Sequence, residues 1–151
     1  MISKKTYQLA TLAAALSVLS AAGPAWAEPA VIFDMGGKFD KSFNQSAYDG
    51  MERWKKESGK GYIEFEISNP AQREQAQRRM AERGADPIVG IGFSQGSSME
   101  KVAKDFPKLK FAIIDSVVNQ PNVQSITFKE QEGSFLVGMM AAMARDRKSV
   151  V

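Results

Sequence analysis

Apolar and polar positions alternate along this chain in blocks that read as strand, helix, strand, with little loop to spare. Ala30 to Asp34 is a short apolar run that predicts a first strand. A polar, glycine-containing stretch, Met35 to Lys41, leads into a helix from about Ser42 to Ser58, which Gly59 and Gly61 end. Tyr62 to Ile67 alternates with the period of a strand. Asn69-Pro70 then supplies an N-cap and first-turn pair for a charged helix running to about Gly84. Pro87 to Gly92 predicts a buried strand, Gln95 to Phe106 a third helix, Lys110 to Asp115 a fourth strand and Val123 to Phe128 a fifth. A last helix is predicted from about Glu130 to Met143, with Phe135, Leu136, Met139, Met140 and Met143 as its apolar face. No internal repeat or low-complexity segment interrupts this order.

Repeated strand–helix units with apolar strands predict an α/β fold, a doubly wound parallel sheet covered on both faces. Ligands of such sheets sit at the carboxyl ends of the strands. The segments to examine are therefore Asp34 to Asn44, Ile67 to Asn69, Gly92 to Gly96 and Asp115 to Asn119.

The N-terminus has a different pattern. Lys4 and Lys5 precede an apolar stretch from Leu9 to Ala22, then Gly23-Pro24 and Ala25-Trp26-Ala27. This is the layout of a cleaved secretory signal peptide, residues 1–27, with a mature start at Glu28 and a periplasmic destination. Of the 20 basic residues in the chain, losing Lys4 and Lys5 leaves 18 against 17 acidic ones, a near-neutral product. That balance, with no basic stripe, argues against nucleic acid as a partner. The chain has no cysteine and no histidine, so disulfides, thiolate metal sites and imidazole-dependent catalysis are outside its own chemistry. No cofactor and no metal are expected.

Two motifs imitate enzymes. Gly92-Phe93-Ser94-Gln95-Gly96 matches the G-x-S-x-G nucleophile elbow between a strand and a helix, so a secreted serine hydrolase is the alternative reading. The elbow needs a histidine to take the serine proton, and this chain has none. Gly90-x-Gly92-x-x-x-Gly96, with Asp115 at the end of the next strand, imitates a dinucleotide fingerprint, but its spacing is one residue too long and it follows the third strand.

The segment Phe33 to Gly50, with Asp40-Lys41-Ser42-Phe43-Asn44-Gln45 at its centre, resembles the opening signature of the basic membrane protein family. These are substrate-binding proteins of ABC transporters and include purine nucleoside receptors. Ile91 to Ser94, Phe106-Pro107 running into Phe111 to Asp115, and Phe128 to Gly138 agree in order and spacing. The resemblance implies the first lobe of a type I periplasmic binding protein fold, residues 28–144, closing over a ligand at a hinge with a second lobe. That second lobe is missing here, and Arg145 to Val151 reads as a divergent tail where the chain is truncated. It also implies a monomer that carries a nucleoside-like solute to a membrane permease.

The resemblance further implies a ligand-binding set of Asp34, Phe43, Asn44 and Asp115, with Gly92 and Ser94 beside them. Each has a plainer reading. Phe43 is a stacking face for a base or a core residue of its helix. Asn44 is a donor–acceptor pair for a base edge or a helix-terminus cap, and Asp34 and Asp115 are acceptors for ligand N–H or hydroxyl groups or caps in their own loops.

Overall fold

The computed structural model describes residues 27–146, so the predicted leader, apart from Ala27, and the tail from Arg147 onward lie outside the described residues. Five strands, β1 (Ala30–Phe33), β2 (Ile63–Glu66), β3 (Ile88–Ile91), β4 (Phe111–Ile114) and β5 (Val123–Ile126), pair in the order β2-β1-β3-β4-β5, all parallel. The helices are α1 (Phe43–Ser58), α2 (Gln72–Glu82), α3 (Gly96–Asp105) and α4 (Glu130–Asp146). The doubly wound α/β sheet is as predicted.

The strand order explains which strands could be wholly apolar. Central β1 reads Ala-Val-Ile-Phe and all four residues are buried, whereas β2 and β5 lie at the edges and alternate half-buried with exposed positions. Glu64 and Glu66 on β2 and Gln124 on β5 are polar for that reason. Right-handed crossovers then distribute the helices. The step from β1 to β2 puts α1 on one face, while the return to β3 and on to β4 puts α2 and α3 on the other. The larger core lies under α2 and α3, where Ala30, Ile32, Ile88, Phe111 and Ile113 meet Met80, Met99 and Val102. The smaller one lies under α1, around Val31, Phe33 and Ile91.

Element ends differ from the sequence reading for local reasons. Gly59 ends α1 in the left-handed region at φ 68°, its N–H donating to the carbonyl of Lys55. Asn69 does not cap α2 directly. Its Oδ1 accepts from the Ala71 N–H at 3.0 Å, forming a turn, and α2 begins at Gln72, whose Oε1 accepts from the backbone N–H of Ser68 and Asn69. The predicted third helix starts with a short 3-10 turn, Phe93–Gln95, before α3 proper. The last helix forms as predicted, but the apolar side chains of α4 are exposed.

Candidate functional site at the carboxyl edge of the sheet

The sheet's order reverses between β1 and β3, and the loops leaving these two strands therefore flank the crevice in which doubly wound sheets bind ligands. The loop after β1 is held by its own side chains. Asn44 is 2% exposed, and its amide donates to the carbonyls of Asp34 (3.0 Å) and Gly37 (3.2 Å) while its Oδ1 accepts from the Asp34 N–H. Asp40 accepts from the backbone N–H groups of Ser42, Asn44 and Gln45 at 2.8–3.1 Å and so performs the capping of α1. Partial desolvation would raise the Asp40 pKa, but these three donors outweigh it and hold the carboxyl below its usual range. Lys38 pins the middle of the loop to β2. Its ammonium pairs with Glu64 and lies 5.5 and 5.2 Å from the ring centroids of Phe39 and Tyr48, and its N–H donates to Glu66 at 2.9 Å.

Asp34, Gly92 and Ser94 come together at the reversal. The Ser94 hydroxyl donates to Asp34 Oδ2 at 2.6 Å, and the Arg73 guanidinium of α2 donates to Oδ1 at 3.1 Å. Burial pushes the Asp34 pKa up, yet the Ser94, Met35 and Arg73 donors and the Arg73 charge together hold it below the usual carboxylate value. Gly92 has φ 102°, and a Cβ there would lie 2.9 Å from Asp34 Oδ2, so the position requires glycine both for its backbone and for the close approach.

Phe43 and Asp115 come together elsewhere, on the α1 side of the edge. With Met51, Val89, Ile114 and Phe128 they line an apolar cavity of about 660 Å³. Asp115 occupies the left-handed region at φ 68°, a conformation that costs energy for a residue with a side chain. Glu130, at the start of α4, lines the same cavity. Its hydrogen bond to Asp115, then desolvation and the Asp115 charge, raise its pKa.

The candidate set is thus split in two. Asn44 is committed to backbone groups within its own loop, and Asp34 is a hub joining β1, α2 and the β3 turn. Phe43 and Asp115 face one open cavity. Sequence reasoning missed Arg73, Asp40, Glu130 and Phe93. The Phe93 ring is 71% exposed, and its position in a glycine-flanked turn at a strand end was the one signal for it. Among the described residues, no group of three or more His, Cys, Asp or Glu side chains gathers as a metal site.

The family model for the ABC transporter substrate-binding protein PnrA-like family matches residues 27–150. The chain belongs to this family. It is 38% identical over 120 residues to the ABC transporter nucleoside-binding protein BmpA of Lactococcus lactis subsp. cremoris, covering 76% of this chain and 34% of that protein. Basic membrane protein A of Borreliella burgdorferi is 34% identical, with 76% and 35% covered. Among solved structures, the chain resembles an ABC transporter solute-binding protein from Aeropyrum pernix at a TM-score of 0.71 and 35% identity, covering 78% of this chain and 32% of that one. A lipoprotein fragment from Peptoclostridium difficile shares the fold at a TM-score of 0.62 and 24% identity, and there the match covers 98% of the solved fragment. The chain spans about a third of the length of its curated relatives. Its described sheet matches one lobe of a solute-binding protein. At the level of the family these are binding proteins and not enzymes, and the hydrolase alternative has no support: the Ser94 hydroxyl is spent on Asp34.

Proposed function

We propose that this chain forms one wall of an extracytoplasmic receptor that delivers a purine nucleoside to the permease of an ABC transporter. The observation that carries this reading is that Phe43 and Asp115 both line one cavity at the carboxyl edge of the sheet. An aromatic face stacks on a purine, worth about 1–3 kcal/mol per base, and a carboxylate accepts from its N–H groups. The nucleoside-binding relative supports the choice of ligand. Asn44 and Asp40 act by fixing the loop that presents Phe43, and Asp34, Gly92 and Ser94 shape the neighbouring crevice. Residues 1–27 direct export and are removed, and the product is a periplasmic monomer; the chain holds no cysteine to carry a lipid.

Calorimetry with guanosine, adenosine and inosine tests the proposal on the full chain. Binding is expected for at least one of them, and Phe43→Ala should weaken it ten- to a hundred-fold. Phe43 is half-buried against Val31, Phe33 and Ile91, so the variant should also lose some stability, though less than the roughly 3–5 kcal/mol of a fully buried ring. No heat with any nucleoside, or unchanged affinity in a destabilised variant, would sink the nucleoside reading.

A further inference from the structure

The backbone pairing of β1 with β3 ends at Ile32 and Gly90, just before the two strands give way to the loops that flank the crevice. Past that point side chains join the loops. Ser94, in the turn after β3, donates to Asp34, directly after β1, and Gln95 beside it donates to the Ile32 carbonyl. Both contacts are backed from α2. Arg73 donates to the other oxygen of Asp34, and the fully buried Gln77, one helical turn further on, donates to the side chain of Gln95 at 3.1 Å and to its carbonyl at 3.4 Å. One face of α2 thus meets each half of the junction with a polar side chain.

Arg73 stands where a cation does its own helix no good. It is the second residue of α2, and the partial positive charge of a helix N-terminus disfavours a cation in the first turn. Its side chain is also mostly buried, 18% exposed against 21% for Asp34. The other cations of this face stay outside: Lys101 and Arg78 pair with Glu74, and Arg78 with Asp105, whereas Arg73 turns inward to Asp34. Burial works against an ionised Asp34, and the donors from Ser94, Met35 and Arg73, with the Arg73 charge, overcome it. We infer that Arg73 is a positioning residue of the candidate binding crevice: acting through Asp34, it fixes how the turn after β3 sits against the loop after β1. Without Arg73 the carboxylate can rotate about its own side-chain bonds and carry Ser94 and the turn with it. That a solute is received there rests on the proposed function, whereas the positioning does not.

Amide hydrogen exchange on the full chain reads the turn directly. In Arg73→Met, amides of residues 93–96 should exchange at least about ten-fold faster relative to those of β1 and β4, which serve as the reference for global stability. Arg78→Met, the same change further along α2 at a more exposed ion pair, should leave that ratio unchanged. Arg73→Lys should restore it, because a single contact to Oδ1 asks only for a charged donor. In Asp34→Asn the ratio should rise as far as in Arg73→Met, and combining the two should raise it no further, since the arginine acts through the carboxylate. The Asp34 carboxyl carbon, followed by NMR, should titrate at higher pH in Arg73→Met. A ratio unmoved in Arg73→Met, an equal rise in Arg73→Lys, or additive effects in the double variant would each overturn the inference. On the proposed function, guanosine affinity should fall about ten-fold in Arg73→Met and return in Arg73→Lys. Unchanged affinity over a loosened turn would remove Arg73 from binding. If the unmodified chain binds no nucleoside, the proposed function fails and the exchange ratio still decides the positioning.

Discussion

Asp40 shows how much a single carboxylate organises in this lobe. It takes three backbone N–H groups at the start of α1, the donors a helix leaves unpaired. Asp40→Ala should destabilise the chain, read as a lowered urea midpoint with an unchanged slope. Asp34 and Asp40 are both held below their ordinary pKa, so between the folded and unfolded values the unfolded chain binds more protons. Their contribution is complete above about pH 4, the unfolded carboxyl value, and is lost as the pH falls through the folded values. Denaturant midpoints should therefore hold steady down to about pH 5 and drop below about pH 4, with a shallower drop in Asp34→Asn. A midpoint that rises on acidification would contradict this. Asp34 was legible as a residue at a strand end, but its partner Ser94 lies in the turn after β3, and only strand pairing brings the two together. Asn44 was read as a ligand donor–acceptor or a cap, and its observed bonds are to loop carbonyls, a role that no spacing in the sequence specifies.

Gln95 illustrates the same point at the scale of elements. It ends the 3-10 turn before α3 and is fully buried, with its amide donating to the carbonyls of Ile32 on β1 and Ile91 on β3 at 2.8 and 3.0 Å. The ladder between those strands stops at Ile32 and Gly90, so this side chain takes over where the backbone pairing ends. Gln77 of α2 donates to its Oε1 at 3.1 Å, tying a helix into the same junction. Gln95→Leu should cost about 2–4 kcal/mol, because it leaves buried acceptors unpaired; a loss under about 0.5 kcal/mol in thermal or urea melts would mean the junction does not need it. Hydrophobic periodicity revealed the five strands and four α-helices of the described residues, since apolar runs and alternation mark buried and edge strands directly. It did not reveal the role of Gln95, which sits in the G-x-S-x-G stretch at the predicted start of the third helix. Nor did it show that the apolar stripe of α4 would be exposed among the described residues, since amphipathicity reports an apolar face without naming what buries it.

For the molecule as a whole, the order and spacing of the motifs were enough to place the chain in its family, because a doubly wound sheet puts loops of fixed role after successive strands. The proposed leader makes a prediction at this scale too: material recovered from the periplasm should begin at Glu28, and an intact mass that still includes Met1 to Ala27 would refute cleavage. A fluorophosphonate probe should leave the folded chain unlabelled at Ser94, since it has no histidine to draw off the hydroxyl proton. The loop from Asp34 to Asn44, closed on itself by Asn44 and Asp40 and pinned to β2 by Lys38, has a further, kinetic consequence. A surface already frozen in one shape gives up almost no entropy when a small molecule arrives. On the proposed function, capture by this wall should therefore be limited by diffusion and orientation rather than by refolding of the loop, and sequence changes around it should be felt mainly in how long the solute stays.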